Sequence, residues 1–371
     1  MAEQNIDEAL SNITEGAALA APDLLEHYRT AIDKIFTTMT LLLDSRFGDR
    51  ATVIRTAARE AEDSPVVIHN DTLDSIYSEA KTYVAGRIHG KVVMPSELGD
   101  RVSAFYDNGY DSGLTIPDWP NLAELYKIAK GELTVITGVP GHGKSSVMDA
   151  MAVRMAECHD WRWCMYSPEN YPWELHVEKL ISLYIGKPFH RGPTDRMTPI
   201  EVSAGLEWLN RHFVFIEPDE DNISLEAVLS LVDQTMESVA IDGVVIDPWN
   251  ELESNRPTDQ TETDYIGNSL RKVRRFARHR NVGLWIVAHP RKLQMKENGE
   301  GYVLPTPYDI SGSAHWYNKA DNCLTVYRHT DSVDVNVQKI KYKIRGKIGK
   351  ASFTYDGPTG RLTPYVNPGE F

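Results

Sequence analysis

Cysteine is scarce in this chain. Cys158, Cys164 and Cys323 are the only three among 371 residues, and no two sit at CxxC spacing. That argues against a structural zinc site and for a reducing compartment. No apolar run approaches the roughly 18 residues that cross a bilayer, so no membrane partner is expected. The first residues, Met1-Ala2-Glu3-Gln4-Asn5-Ile6-Asp7-Glu8, are acidic, unlike a secretory signal or an Arg-rich transit peptide. Positive charge is in deficit as well, with a formal net charge of −14. This excludes a surface coated with basic residues. A local basic channel for nucleic acid remains open, because phosphate contacts depend on where the charges sit. Internal repeats and low-complexity segments are also missing. What is present is an ordinary apolar fraction of 42% and enough length for one large α/β domain plus a smaller one.

Within that frame one segment carries chemistry. Gly138-Val139-Pro140-Gly141-His142-Gly143-Lys144-Ser145 matches the phosphate-loop pattern GxxxxGK[ST] in full. The apolar, β-branched run Leu133–Thr137 before it reads as a buried strand, and Val147–Met155 after Ser146 reads as a helix. Strand, glycine-rich loop and helix form the context this pattern needs. The glycines let backbone N–H groups face phosphate oxygens, and the helix N-terminus adds roughly half a positive charge. Residues 138–146 are the expected nucleotide contacts, with Lys144 reaching the β- and γ-phosphates and Ser145 holding Mg²⁺. The chain is expected to bind a nucleoside triphosphate.

The remainder falls into parts of different texture. Residues 1–95 read as a small helical module, with helical spacing over Leu24–Phe36, Val53–Ala61 and Leu73–Val84 and a short extended segment at Pro65–Ile68. Residues 96–115 read as a linker helix, and Ile116-Pro117-Asp118-Trp119-Pro120 marks the entrance to a domain spanning 116–371. From Leu122 onward strands and helices alternate. Strands are predicted at Leu133–Thr137, Arg162–Ser167, Phe213–Glu217, Gly243–Asp247, Gly283–Ala288, Cys323–Arg328, Val333–Lys341 and Ala351–Tyr355, with helices at 145–157, 173–185, 199–210, 224–239 and 264–280. The early strands are nearly all apolar, as in a parallel sheet covered on both faces. The last two alternate and predict an antiparallel edge hairpin.

Several polar residues stand where such a sheet places chemistry. Asp247 ends Val244-Val245-Ile246-Asp247 and suits a hold on Mg²⁺; the other reading is a strand-end aspartate capping the next turn. Glu169, in Ser167-Pro168-Glu169-Asn170, could polarise an attacking water or be a solvated loop glutamate, with Glu251 next in line as base. His289, closing Trp285-Ile286-Val287-Ala288-His289, could sense the γ-phosphate or be structural. Basic residues gather in two places. Arg271, Lys272, Arg274, Arg275, Arg278 and Arg280 lie on one predicted helix, as a solvated face or a subunit contact. Lys339, Lys341, Lys343 and Arg345 would share one strand face and repel unless an anion neutralises them, either a neighbouring subunit's nucleotide or a nucleic-acid backbone.

Taken together, Gly131–Gly141, Ser167-Pro168-Glu169-Asn170, Ile246-Asp247-Pro248-Trp249-Asn250-Glu251, Val287-Ala288-His289-Pro290 and Pro307–Trp316 resemble the RecA-like helicase domain of ring-shaped, DnaB-like replicative helicases. The branch is that of Twinkle and the phage primase-helicases, and the match runs over roughly residues 96–365. The resemblance implies a RecA-like P-loop core and ATP- or dTTP-driven unwinding of duplex DNA by a hexameric ring around one strand. By motif, Lys144 and Ser145 are its Walker A pair, Asp247 its Walker B acid, Glu169 its base and His289 its phosphate sensor. The loop from Arg291 to Pro305 corresponds to the DNA-binding loop, with Arg291, Lys292 and Lys296 as cations and Gly299 and Gly301 as hinges. Tyr355 matches a base-stacking tyrosine. The trans-acting finger falls among Lys341, Lys343 and Arg345, with Arg345 first and Lys343 supporting. A helicase-only chain is implied, working on single-stranded DNA and replication forks with a separate primase or polymerase, in a bacterial cytoplasm and encoded by the bacterium or a phage. A RecA/RadA-like filament and a nucleotide-switched loader or clamp-like ring are the competing readings.

Overall fold

The computed structural model describes residues 95–366 except 110, 220–222, 256–259, 292, 298–300 and 311–313. The helices and the extended segment expected before residue 95 therefore lie outside the described residues. The chain divides into two compact units, Met1–Val102 and Ser103–Phe371. A helix, α1 (Gly99–Asn108), is exposed along its described length.

In the second unit, strands β1 (Leu133–Gly138), β2 (Trp163–Tyr166), β3 (Phe213–Phe215), β4 (Gly243–Ile246), β5 (Gly283–Val287), β6 (Asn322–Arg328), β7 (Val333–Ile340), β8 (Gly349–Tyr355) and β9 (Leu362–Pro364) build one sheet. Their order is β3-β2-β4-β5-β1-β6-β7-β8-β9. Strands β3 to β6 along that order pair in parallel, and β6, β7, β8 and β9 pair antiparallel. Helices α2 (Pro120–Ala123), α3 (Lys144–His159), α4 (Trp173–Ile185), α5 (Pro199–His212), α6 (Leu225–Met236), α7 (Glu262–Arg280) and α8 (His315–Lys319) accompany it.

Successive side chains of a strand point to opposite faces, and here both faces are apolar. On β4, Val245 joins a core with Met148, Met151 and Met155 of α3, Leu180 of α4 and Trp208 of α5. Its neighbours Val244 and Ile246 join a second core with Val228 of α6, Ile266 and Leu270 of α7 and Trp316 of α8. The helices start where their sequences provide caps. Thr198 and Glu201 form a reciprocal box before α5, and the Thr261 hydroxyl accepts from Asp264 N–H at 3.2 Å before α7.

Two expectations are corrected. The β7–β8 hairpin is not the edge of the sheet, because β9 adds outside β8, with Phe353 opposite Pro364. A proline tolerates that position because an outermost strand needs no outward N–H. The second correction concerns the basic face. Strand β7 stops at Ile340, and a 3₁₀ turn over Lys343–Arg345 breaks the alternation. Lys339 Nζ donates to the carbonyls of Tyr317 and, at 2.8 Å, Ala320, and Lys341 Nζ meets Asp321 at 2.8 Å. Those charges are answered inside the fold without an external anion. Four of the six α7 cations are anchored likewise: Arg274 and Arg278 approach Asp321 at 2.9 and 3.5 Å, Lys272 pairs with Glu226 and Arg280 with Asp233.

Three indoles stack under β4, Trp161, Trp163 and Trp285, with centroids 5.0–6.2 Å apart. Gly243 makes room for them, since a Cβ there would stand 2.4 Å from the Trp163 ring. Overpacking of this kind costs about 1–3 kcal/mol. Gly243→Ala is therefore expected to lower the thermal midpoint by about 2–10 °C and to shift the tryptophan emission, measured by fluorescence-detected melting.

Candidate functional site

The phosphate loop joins β1 to α3. Gly138 has φ of 149°, and a Cβ on it would lie 2.2 Å from the Val326 carbonyl, so only glycine lets β1 turn against β6 here. At the other end Gly143 holds φ of 89° as the N-cap of α3 and offers no side-chain cap. The first N–H groups of α3 are thereby left to an anion. Lys144 is buried, and its ammonium donates to the carbonyls of Gly138 and Val139 at 3.2 and 3.4 Å. Burial pulls its pKa down, while the charges of Asp247 and Glu169 push it back up.

Asp247 follows β4 directly and its N–H donates to the Tyr166 carbonyl at 2.9 Å. Its side chain is almost wholly buried and hydrogen-bonded by Ser145, yet Oδ1 has no hydrogen-bond partner. Desolvation pushes its pKa to about 6, and the carboxylates of Asp149 and Glu169 add to that push. A buried, partnerless carboxylate oxygen beside a serine hydroxyl is the oxygen donor set that Mg²⁺ takes. The residues present fit that ion.

Glu169 sits in a 3₁₀ turn, Pro168–Asn170, after β2, with its side chain half exposed. Its Oε1 lies 3.7 Å from His289 Nε2, at the end of β5. His289 is steadied through its backbone N–H, which donates to Asn250 Oδ1 at 3.3 Å. Burial and the nearby Lys144 lower its pKa, which favours the neutral ring, while Glu169 pushes the other way. Lys144, Ser145, Glu169, Asp247 and His289 thus converge from the ends of β1, β2, β4 and β5.

Other expected residues fall around this centre. His142 Nδ1 accepts from Arg328 N–H at 3.0 Å, and its ring meets Tyr327 edge-on at 4.9 Å. Arg328 was not anticipated; its guanidinium lies 5.4 Å over the ring of Tyr355. The sequence signal available was only a cation closing the predicted strand Cys323–Arg328. In the loop after His289, Met295 bridges Tyr302, and Lys296 Nζ stands 5.3 Å over Tyr327. Arg291 is exposed, 3.7 Å from Glu262. Gly301 has φ of 82°, while Lys292 and Gly299 lie outside the described residues.

Arg345 differs from expectation. It is only 4% exposed, and its Nε donates to Glu132 Oε1 at 3.2 Å, with Asp111 3.4 Å from Nη1. The guanidinium is committed within its own fold because Glu132, itself buried, needs a cation. Lys343, two residues earlier, is exposed.

No family model matches the chain. The Twinkle homolog protein, chloroplastic/mitochondrial, of Arabidopsis thaliana is 38% identical over 285 residues, covering 73% of this chain and 39% of that relative. Over the matched residues the chain is similar to a Twinkle protein. The chain spans about two fifths of the length of that relative. Among solved structures, one ATPase domain superposes on this chain with a TM-score of 0.59 at 17% identity, covering 72% of this chain and 99% of that one. A DnaB-like replicative helicase, solved with regard to its interactions with primase, gives 0.58 at 16% identity, covering 93% and 78%. Both likenesses establish the RecA-like ATPase fold of the domain.

Holding the Asp247 carboxyl near 6 against an ordinary 3.8 disfavours the charged fold by on the order of 2–3 kcal/mol. The folded pKa is the raised one, so this penalty is complete above about 6 and vanishes below about 4. Asp247→Asn is expected to raise the melting temperature of the magnesium-free chain by about 4–10 °C near pH 8 and not at all near pH 4. The same substitution should abolish hydrolysis. Differential scanning calorimetry over that pH range provides the check.

Proposed function

We propose that the chain is the motor of a replicative DNA helicase, hydrolysing ATP or dTTP with Mg²⁺ and moving as a hexameric ring around one DNA strand. The observation that carries this reading is the meeting of Lys144, Asp247, Glu169 and His289 at one rim of the sheet, beside the loop bearing Arg291 and Lys296. Lys144 would trade the two loop carbonyls for the β- and γ-phosphates. Ser145 and Asp247 would hold Mg²⁺, which supplies charge neutralisation across those phosphates. Glu169 would take a proton from water as its oxygen attacks the γ-phosphorus and the bond to the β-phosphate oxygen breaks. His289, within reach of Glu169, would register the loss of that phosphate and pass it to the loop that follows. Tyr355 would stack on the base, with Arg328 over its other side.

In this reading residues 1–95 form a helical module, 96–115 a linker helix and 116–371 the motor. Single-stranded DNA at replication forks is the track, with a separate primase or polymerase as partner. Free cysteines support a reducing compartment, a bacterial cytoplasm, with the gene bacterial or phage-borne. Among the described residues no helix is long and apolar enough to cross a membrane.

The decisive test is hydrolysis with and without single-stranded DNA, joined to electron microscopy with nucleotide. Wild type should show DNA-stimulated turnover and closed rings, and Lys144→Ala should lose turnover. Wild-type turnover by Lys144→Ala, or filaments in place of rings, would sink the proposal. DNA affinity should fall by about 10³-fold or more between about 50 and 200 mM salt, as several phosphate contacts demand.

The cation delivered to a neighbour's γ-phosphate is worth about 10³ to 10⁵ in rate. Arg345 can provide it only by leaving Glu132, whereas Lys343 already faces outward, so Lys343 becomes the first choice. Lys343→Ala and Lys144→Ala chains should each be inactive and recover hydrolysis when mixed, since some interfaces then pair an intact loop with an intact finger. Recovery with Arg345→Ala but not with Lys343→Ala would return the role to Arg345.

A further inference from the structure

Behind the Glu169 turn lies a group of polar side chains that the reaction as described does not use. Asp149 is on α3, one helical turn beyond Ser145, and is 1% exposed. Its Oδ1 accepts from Nε2 of His176, itself fully buried on α4, at 3.0 Å. Its Oδ2 lies 3.6 Å from Nζ of Lys179, one turn further along α4. The same Nζ donates to Asn170 Oδ1 at 3.2 Å, and Asn170 Nδ2 donates to Ser167 Oγ at 2.7 Å. Asn170 is the residue next to Glu169. One unbroken chain of polar contacts therefore runs from the helix that carries Lys144 and Ser145 to the turn that carries Glu169.

Burial works to raise the Asp149 pKa, but His176 and Lys179 outweigh it and keep the carboxyl below its ordinary value. An ionised carboxylate in the core is an expensive way to join two helices, for which apolar side chains suffice. The placement of its partners gives another use for it. The Lys179 side chain is 37% exposed and could extend into water, yet it spans Asp149 and Asn170. With a fixed charge at one end and the Glu169 turn at the other, it sets the height of that turn over the phosphate loop. Besides the turn's own backbone hydrogen bonds and the 3.7 Å approach of His289 to Glu169, the Lys179–Asn170 bond is a side-chain tie from α4 to this turn.

We propose that Asp149, His176, Lys179 and Asn170 are positioning residues for Glu169, an inference that rests on Glu169 being the base. None of the four touches the reacting atoms. Their effect is on the in-line geometry of the water, where a displacement of about 1 Å costs on the order of a hundredfold in rate.

The test measures kcat by steady-state hydrolysis and nucleotide Kd with a fluorescent ATP analogue, in the full chain with single-stranded DNA. Lys179→Met should lower kcat by about tenfold to a hundredfold and leave Kd within about twofold. Lys179→Arg, which keeps the charge and the reach, should recover most of the rate. Asn170→Ala, at a half-buried position that the core does not need, should repeat the Lys179→Met signature and secures the result if that variant folds poorly. In a Glu169→Gln background, Lys179→Met should cause no further loss, because both act on one step. Wild-type kcat for Lys179→Met and Asn170→Ala, with Glu169→Gln inactive, would overturn the network and leave the base standing. Normal turnover by Glu169→Gln would remove the base and, with it, the network's role. Parallel falls in kcat and affinity without recovery by Lys179→Arg would mark the four residues as structural only.

Discussion

A parallel sheet buried on both faces brings the ends of its strands to one rim, and the chemistry of this chain depends on that constraint. Strands β1, β2, β4 and β5 are buried along their whole length because helices cover both sides, and apart from Thr134 and Thr137 they are built of apolar residues and glycine. Charged side chains enter where these strands stop. Asp247, Glu169 and His289 each follow such an end, and the phosphate loop follows β1. The low dielectric of the sheet then acts on all of them together. It pulls the Lys144 pKa down and the Asp247 pKa up, and their mutual attraction moderates both shifts. The strand order β2-β4-β5-β1 brings the four ends side by side.

Much of this was legible in the sequence for one physical reason. Buried parallel strands are short, continuous apolar runs, and the residues closing them announce themselves by polarity. Leu133–Gly138 and α4, predicted at 173–185, fall where periodicity puts them. What escaped was decided by tertiary partners. Strand β9 is three residues ending in proline, too little pattern to read without β8 beside it. The late cations looked like a charged face awaiting an anion because period-2 alternation cannot show that Lys339 caps the carbonyls at the end of α8 or that Lys341 reaches Asp321. Arg345 was the arginine of its cluster by chemistry, and its burial against Glu132 depends on a residue far away in sequence.

Those internal pairings also bear on the charge deficit. In a chain of net charge −14, buried acids such as Asp321, Glu132 and Asp149 each claim cations from neighbouring elements. The loop after β5 carries exposed cations of its own, Arg291 and Lys296. There Lys296 lies over Tyr327, and Tyr327 packs against His142 of the phosphate loop. Lys296 of that loop and His142 of the phosphate loop are thus separated by a single aromatic ring.

The site itself is held short of its best bonding state. Lys144 donates to the carbonyls of its own loop, and one buried oxygen of Asp247 has no hydrogen-bond partner. Both arrangements are unfavourable in a region of low dielectric, and both would be relieved by the proposed ligand, a triphosphate with its metal ion. Binding therefore gains from the release of a penalty built into the fold as well as from new contacts. Such a penalty is tolerable only because the surrounding sheet is rigid and large enough to hold it.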